Sequence, residues 1–303
     1  MKRTLVSFDW AIKRLLRQKA NFDILEGFLS ELLMQEVVIH SLLESESNKI
    51  DESDRHNQLD LLCENDRGEL IIIEVQYYSE VDYFQRMLFG TSKVITEYIS
   101  VGEPYAQVRK VYSVNILYFD LGQGEDYLYR GTMEFKGLNF RDALNLSSSQ
   151  MRHFQRETPG ELYPEYYLIK VNNFDDVAKS SLDEWVYYLK NSKLPRTYQA
   201  KGLDKVEQRL KYDKMDATRK QEYDQHLESL QISKSMIETA KLEGRQEGRQ
   251  EGRQEGRQEG NLENKLQVIF SSFREGIEIP LIAKIVSMTE EEVVKVLKNK
   301  GLL

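Results

Sequence analysis

The chain has 303 residues, 40% of them apolar and 30% charged, with a formal net charge of −8. That length suits one large domain plus a smaller one, and the acidic balance excludes a uniformly basic, unselective nucleic-acid binder. The one cysteine, Cys63, excludes an intramolecular disulfide framework; no run nears the ~20 apolar residues of a membrane helix, and MKRTLVSFDW lacks a signal-peptide core, so a reducing cytoplasm is the expected location.

Basic residues gather in two places. Residues 1–20 hold six Lys/Arg against Asp9 alone, and residues 193–220 hold nine against four acids. Such segments track a phosphate backbone or form solvated helix faces, and composition does not choose. Residues 7–19 read as a helix with Phe8, Ile12, Leu15 and Leu16 on one side and Lys13, Arg14 and Arg17 on the other. Asp9 caps that helix or joins an acidic site further on. Residues 22–35 repeat the helical spacing, with Glu26 off the apolar stripe. Val37–Leu43 reads as a strand and Ser45–His56 as a polar connection.

Asn57–Gln76, NQLDLLCENDRGELIIIEVQ, reads as a β-hairpin. Its two apolar runs flank Asp66, Arg67 and Gly68, a three-residue loop with glycine at the left-handed position. In that register paired residue numbers sum to 134, so Asp60 faces Glu74 and Gln58 faces Gln76. One face is then wholly apolar: Leu59, Leu61, Cys63, Ile71, Ile73 and Val75. The other carries Asp60, Glu74 and Gln76, with Leu62 and Ile72 behind them. Opposed carboxylates, with Cβ atoms about 5 Å apart, repel unless a proton or cation sits between them. A hard cation such as Mg²⁺ suits such a pair. A metal site and the acidic edge of a solvated sheet are both compatible with the spacing.

Residues 80–100 return to helical spacing, with Gln85, Arg86 and Lys93 as polar members near the hairpin in sequence; Gly102 and Pro104 end the element. Val108–Leu121 reads as a buried strand, and Tyr127–Phe135 and Tyr163–Val171 as further strands. Ser181–Leu189 is a helix holding Trp185, with Ser181 and Glu184 at capping-box spacing. The sum is a mixed α/β layer.

Residues 201–242 suggest one or two amphipathic helices. Glu243–Gly260 is EGRQ four times and then EG. Its glycines each cost about 1 kcal/mol against alanine in a helix, and like charges recur at i+4, so a flexible or marginally helical linker is expected. Residues 261–303 form a small helical, helix-turn-helix-like module, with Pro280 opening one helix and Thr289/Glu292 as a capping box before the next. Its six basic and six acidic residues are poor for DNA binding, and packing or dimerisation explains it as well.

FDWAIKRLL, LDLLCENDRGELIIIEVQ, FQRMLFGTSKVITEYISVGEPY and KVYSVNILYFDL, in that order, resemble the PD-(D/E)XK restriction-endonuclease-like superfamily and, within it, the Rpn family of recombination-promoting nucleases and transposases. The likeness spans residues 5–190, and more loosely the tail, where Rpn-like proteins carry similar repeats. It implies a restriction-endonuclease-like mixed sheet flanked by helices, with a helical C-terminal extension. The expected divisions are 1–195, a nuclease-like domain; 196–242, a charged helical segment; 243–260, the linker; and 261–303, the small module. The resemblance makes Asp60 and Glu74 ligands of Mg²⁺ or Mn²⁺ and Gln76 a catalytic partner where the superfamily usually has lysine. Glu-x-Gln is the ordinary Rpn-like form, but the charge-stabilising role is left without an owner; Arg86 and Lys93 are candidates, and Asp9 matches an N-terminal family acid.

The activity implied is metal-dependent DNA cleavage serving recombination or transposition, with DNA as partner and Lys13, Arg14 and Arg17 on its backbone. Assembly of like chains through the C-terminal region is a further expectation. The competing readings are a nuclease-fold DNA-binding or assembly module without catalysis, and a regulator that binds DNA through its tail. The four scattered histidines lack zinc-ligand spacing, and no phosphate loop or nucleophile elbow stands in the required context.

Overall fold

The computed structural model describes residues 4–43, 60–100 and 102–303. The expected connection Ser45–His56 and the hairpin positions Asn57, Gln58 and Leu59 lie outside the described residues, as do Lys2 and Arg3. Two compact units emerge, residues 1–224 and 225–303.

The first unit is α/β. Its six-stranded mixed sheet runs in the order β1-β2-β3-β4-β6-β5, with β1 Ile39–Leu42, β2 Leu61–Asn65, β3 Leu70–Gln76, β4 Val111–Leu117, β5 Leu128–Gly131 and β6 Glu165–Lys170. β3, β4 and β6 are parallel; the pairs β1–β2, β2–β3 and β5–β6 are antiparallel. The β2–β3 register matches the hairpin expectation: Leu61 pairs with Ile73, Leu62 with Ile72 and Cys63 with Ile71. Gly68 takes φ 74°, its N–H donates to Asn65 O, and the Asn65 N–H donates to Glu69 O, closing the three-residue loop.

Both faces of the central strands are buried, as parallel strands require. Helix α3, Tyr83–Glu97, follows β3 and leads into β4. Its Val94 packs on Leu62, Leu70, Ile72 and Val111, and its Tyr83 and Met87 on Leu117 and Phe119. The other face is reached by α1, Phe8–Arg14, α2, Phe22–Leu33, and α5, Ser181–Asn191. There Phe8, Phe28, Trp185 and Tyr188 form an edge-on aromatic cluster. Tyr118 donates to Leu189 O, and Tyr112 accepts from Gln35 just past α2. Glu26 accepts from Ile39 N–H, so it anchors β1.

Several boundaries differ from the sequence expectation. The first helix ends at Arg14. The α5 capping box is Ser180 with Asp183, one residue before the Ser181/Glu184 pair, and Glu184 instead accepts from the N–H groups of Gln199 and Ala200. A helix the spacing did not suggest, α4 Ser148–Phe154, is started by the Ser147/Gln150 capping box. After α6, Leu203–Arg209, the helix α7 runs from Ala217 to Arg274 and includes the whole EGRQ repeat. Glu, Arg and Gln are good helix formers, and a helix already nucleated in flanking amphipathic segments extends without a new nucleation cost.

In the second unit, the end of α7 packs with α8, Ile279–Val286, and α9, Glu290–Asn299, around Ile269, Ile282, Val286, Val293 and Leu297. Pro280 sits in the first turn of α8, and Thr289 with Glu292 forms the α9 capping box, both as the sequence indicates. Among the described residues no helix is long and apolar enough to cross a membrane.

Candidate active site

The candidate residues collect where β2 begins and β3 ends, with α1 arriving from one face of the sheet and α3 from the other. The β2 ladder stops at Leu61, so Asp60 lies in a bend and not in a strand pair. Its Oδ2 accepts the Val75 N–H at 2.7 Å, which fastens the carboxylate to the edge of β3 one residue from Glu74.

Glu74 pairs in register with Asn115 of β4. Its side chain is 14% exposed. Burial pushes its carboxyl up to about 7; Arg86 pulls it back, Asp60 and Glu80 push it further, and a hydrogen bond from Tyr83 lowers it. The Tyr83 hydroxyl has one hydrogen, which Glu74 shares with Asn115 Oδ1, 3.0 Å from the phenol oxygen, and Asn115 Nδ2 donates to Ser113 Oγ. Tyr83 is thus locked between Glu74 and a buried polar pair in an otherwise apolar strand.

Gln76 donates its amide N–H to Glu80 Oε1 at 2.7 Å. Glu80 also receives Arg86 Nη1 at 2.8 and 3.1 Å, and Arg86 Nε stands 4.0 Å from Glu74 Oε2. Of the two candidate cations on α3, Arg86 is the one whose field acts on Glu74. Lys93 lies seven residues on, about 10 Å along the helix axis, beside the Val94 packing.

Of Lys13, Arg14 and Arg17, the three residues expected on the DNA backbone, two also meet this site. Lys13 Nζ is 3.0 Å from Asp60 Oδ1, and Arg17 donates to the Asp60 main-chain oxygen at 2.6 Å. Arg14 is exposed in the last turn of α1. Asp9 is buried, and its carboxylate accepts a hydrogen bond from Tyr77, whose ring stacks on Tyr118 at 4.3 Å. Burial above all, then Tyr118 and Asp9, raises the Tyr77 phenol. The α1 N-cap position belongs to Ser7. Asp9 therefore ties α1 to the end of β3.

Spacing missed Glu80, Tyr83 and Asn115 as site members. Asn115 alone left a signal, an amide inside the apolar run VYSVNIL. A cavity of about 640 Å³ lies at the opposite, hairpin-turn end of the sheet. Of its cations, Arg109, Lys110 and Arg156 are paired with Glu64, Glu165 and Glu69, and Arg67 donates to Gln35 Oε1.

A family model described as PD-(D/E)XK nuclease family transposase matches residues 6–240. The chain belongs to this family. Neither the curated proteins nor the solved structures gave a match. PD-(D/E)XK nucleases typically use divalent metals. Among the described residues no group of three or more His, Cys, Asp or Glu is gathered for a metal. The Asp60 and Glu74 carboxylates are nonetheless the hard oxygen donors that Mg²⁺ takes one or two at a time, completing its shell with water. The upward push on Glu74 marks a carboxylate that a cation would relieve. By donor chemistry the residues of this PD-(D/E)XK chain fit such an ion.

Proposed function

We propose that the protein is a metal-dependent DNA endonuclease of the Rpn type, cutting phosphodiester bonds in recombination or transposition. The reading rests on one observation: Asp60 and Glu74 lie in each other's field at the strand ends, and Glu74 is buried enough to be pushed up to about 7. Crowded carboxylates are costly without a counter-charge.

Asp60 and Glu74 would hold Mg²⁺ or Mn²⁺. The bound ion supplies a water of lowered pKa and positive charge against the attacked phosphate. Tyr83 fixes the Glu74 carboxylate, and the Val75 N–H fixes that of Asp60. Gln76, steadied through its N–H by Glu80, presents an amide oxygen that orients a water. Arg86, held by Glu80, answers the charge-stabilising role that glutamine cannot fill. Catalysis belongs to residues 1–195, and the basic α1 face tracks the DNA backbone.

One observation favours a second reading, a nuclease-fold DNA-binding or assembly module without catalysis: Asp60 pairs with Lys13, and Arg86 stands over Glu74. Plasmid incubated with the purified chain and Mg²⁺ separates them. Nicking that EDTA stops, and that Asp60→Ala and Glu74→Ala each reduce by at least about 10²-fold, is the expected result. Intact plasmid with the unaltered chain supports the module.

A further inference from the structure

We propose that Lys13 is the exchangeable cation of this site: it balances Asp60 until a divalent cation takes that carboxylate, and its ammonium then binds the neighbouring DNA phosphate. The inference rests on the carboxylate-site reading above.

The three cations here are held differently. Arg86 is bound by both oxygens of Glu80 and is 22% exposed. Arg17 donates to the main-chain oxygen of Asp60, a contact that does not depend on the carboxylate charge. Lys13 meets the carboxylate itself, at Oδ1, while Oδ2 is committed to the Val75 N–H. Its side chain is 45% exposed against 16% for Asp60. A lysine ammonium on a flexible four-carbon stem reorients more readily than a forked guanidinium.

Charge sets the exchange in motion. Asp60 and Glu80, with Glu74 ionised only in part near neutral pH, face the three positive charges of Lys13, Arg17 and Arg86, so Lys13 is not needed once an ion holds Asp60. A divalent ion at Asp60 competes directly for Oδ1 and repels an ammonium beside it. The helix under Lys13 does not have to move. Asp9, one turn earlier on the same face of α1, is fastened to Tyr77 at the end of β3. The released ammonium therefore stays within a side chain's reach of Asp60, beside the phosphate that Asp60 and its ion would address.

Calorimetric titration of the full chain with Mn²⁺ alone tests this without requiring turnover. Lys13→Met should tighten Mn²⁺ binding by roughly three- to tenfold, the size of a partly exposed ion pair. The same change should slow DNA cleavage at saturating Mn²⁺ by about 10²-fold. It should also make the salt dependence of DNA binding shallower by about one unit of log–log slope, and Lys13→Arg should restore that slope. A lysine that only buttressed the fold would give weaker Mn²⁺ binding when removed. If Asp60→Ala loses Mn²⁺ binding while Lys13→Met leaves it unchanged or weaker, the exchange is wrong and the carboxylate site stands. If Asp60→Ala binds Mn²⁺ as the unaltered chain does, both fall.

Discussion

At the scale of single residues, Glu74 holds the most information. Its folded carboxyl is raised to about 7 from an ordinary 4.5, chiefly by burial. The folded state therefore binds a proton between those pH values that the unfolded chain has lost. Stability must fall as pH rises through that window when no divalent ion is present. Glu74→Gln in EDTA should flatten this dependence and leave the variant more stable above pH 7, by up to about 3 kcal/mol. Thermal melts from pH 4 to 8 measure it; a variant less stable than the parent at pH 8 would mean that Arg86 more than repays the burial. The hairpin register, readable from the sequence, brings Asp60 and Glu74 to one end of the sheet, although Asp60 lies in a bend just before the ladder and not in the strand pair the register implied. Lys13 and Arg17 were readable only as basic residues, since their contact with Asp60 spans more than forty positions and depends on how α1 docks. Glu80 and Tyr83 left no pattern, because a lone acid in a loop and a tyrosine on a helix stripe look the same in a site and outside one.

At the scale of elements, local chemistry carried well where it was self-contained. Gly68 and the alternating apolar faces set the hairpin register, and the Thr289/Glu292 box set the start of α9. It slipped where neighbouring residues offered equal caps: Ser180 and Ser181 are both serines, and tertiary hydrogen bonds from Gln199 and Ala200 to Glu184 decide between them. The repeat differed for another reason. Glycine cost and stacked like charges describe an isolated peptide, whereas α7 continues from helices nucleated on either side. Two glycines make the contrast testable. A Cβ on Gly27 of α2 would lie 2.2 Å from the Lys201 main-chain oxygen, so Gly27→Ala should cost about 2 kcal/mol or more and lower Tm. Gly248 in α7 has nothing within 4 Å of such a Cβ, so Gly248→Ala should leave Tm unchanged or higher and raise helicity by circular dichroism. Equal melting temperatures for the Gly27 variant and the parent would refute the close α2 contact.

At the scale of the whole molecule, the family match over residues 6–240 takes in the first compact unit and the beginning of the second. The helical module at the end has balanced charge and an acidic first turn, Glu290–Glu292, at the start of α9. A helix that opens on three carboxylates repels phosphate, so the ion-dependent chemistry is expected in the first unit alone. Crystals of the full chain soaked in Mn²⁺ sample every candidate position together through anomalous scattering. The account predicts a peak at bonding distance, about 2.1 Å, from one oxygen each of Asp60 and Glu74. A strong peak elsewhere, with those two carboxylates still paired to Lys13 and Arg86, would contradict it.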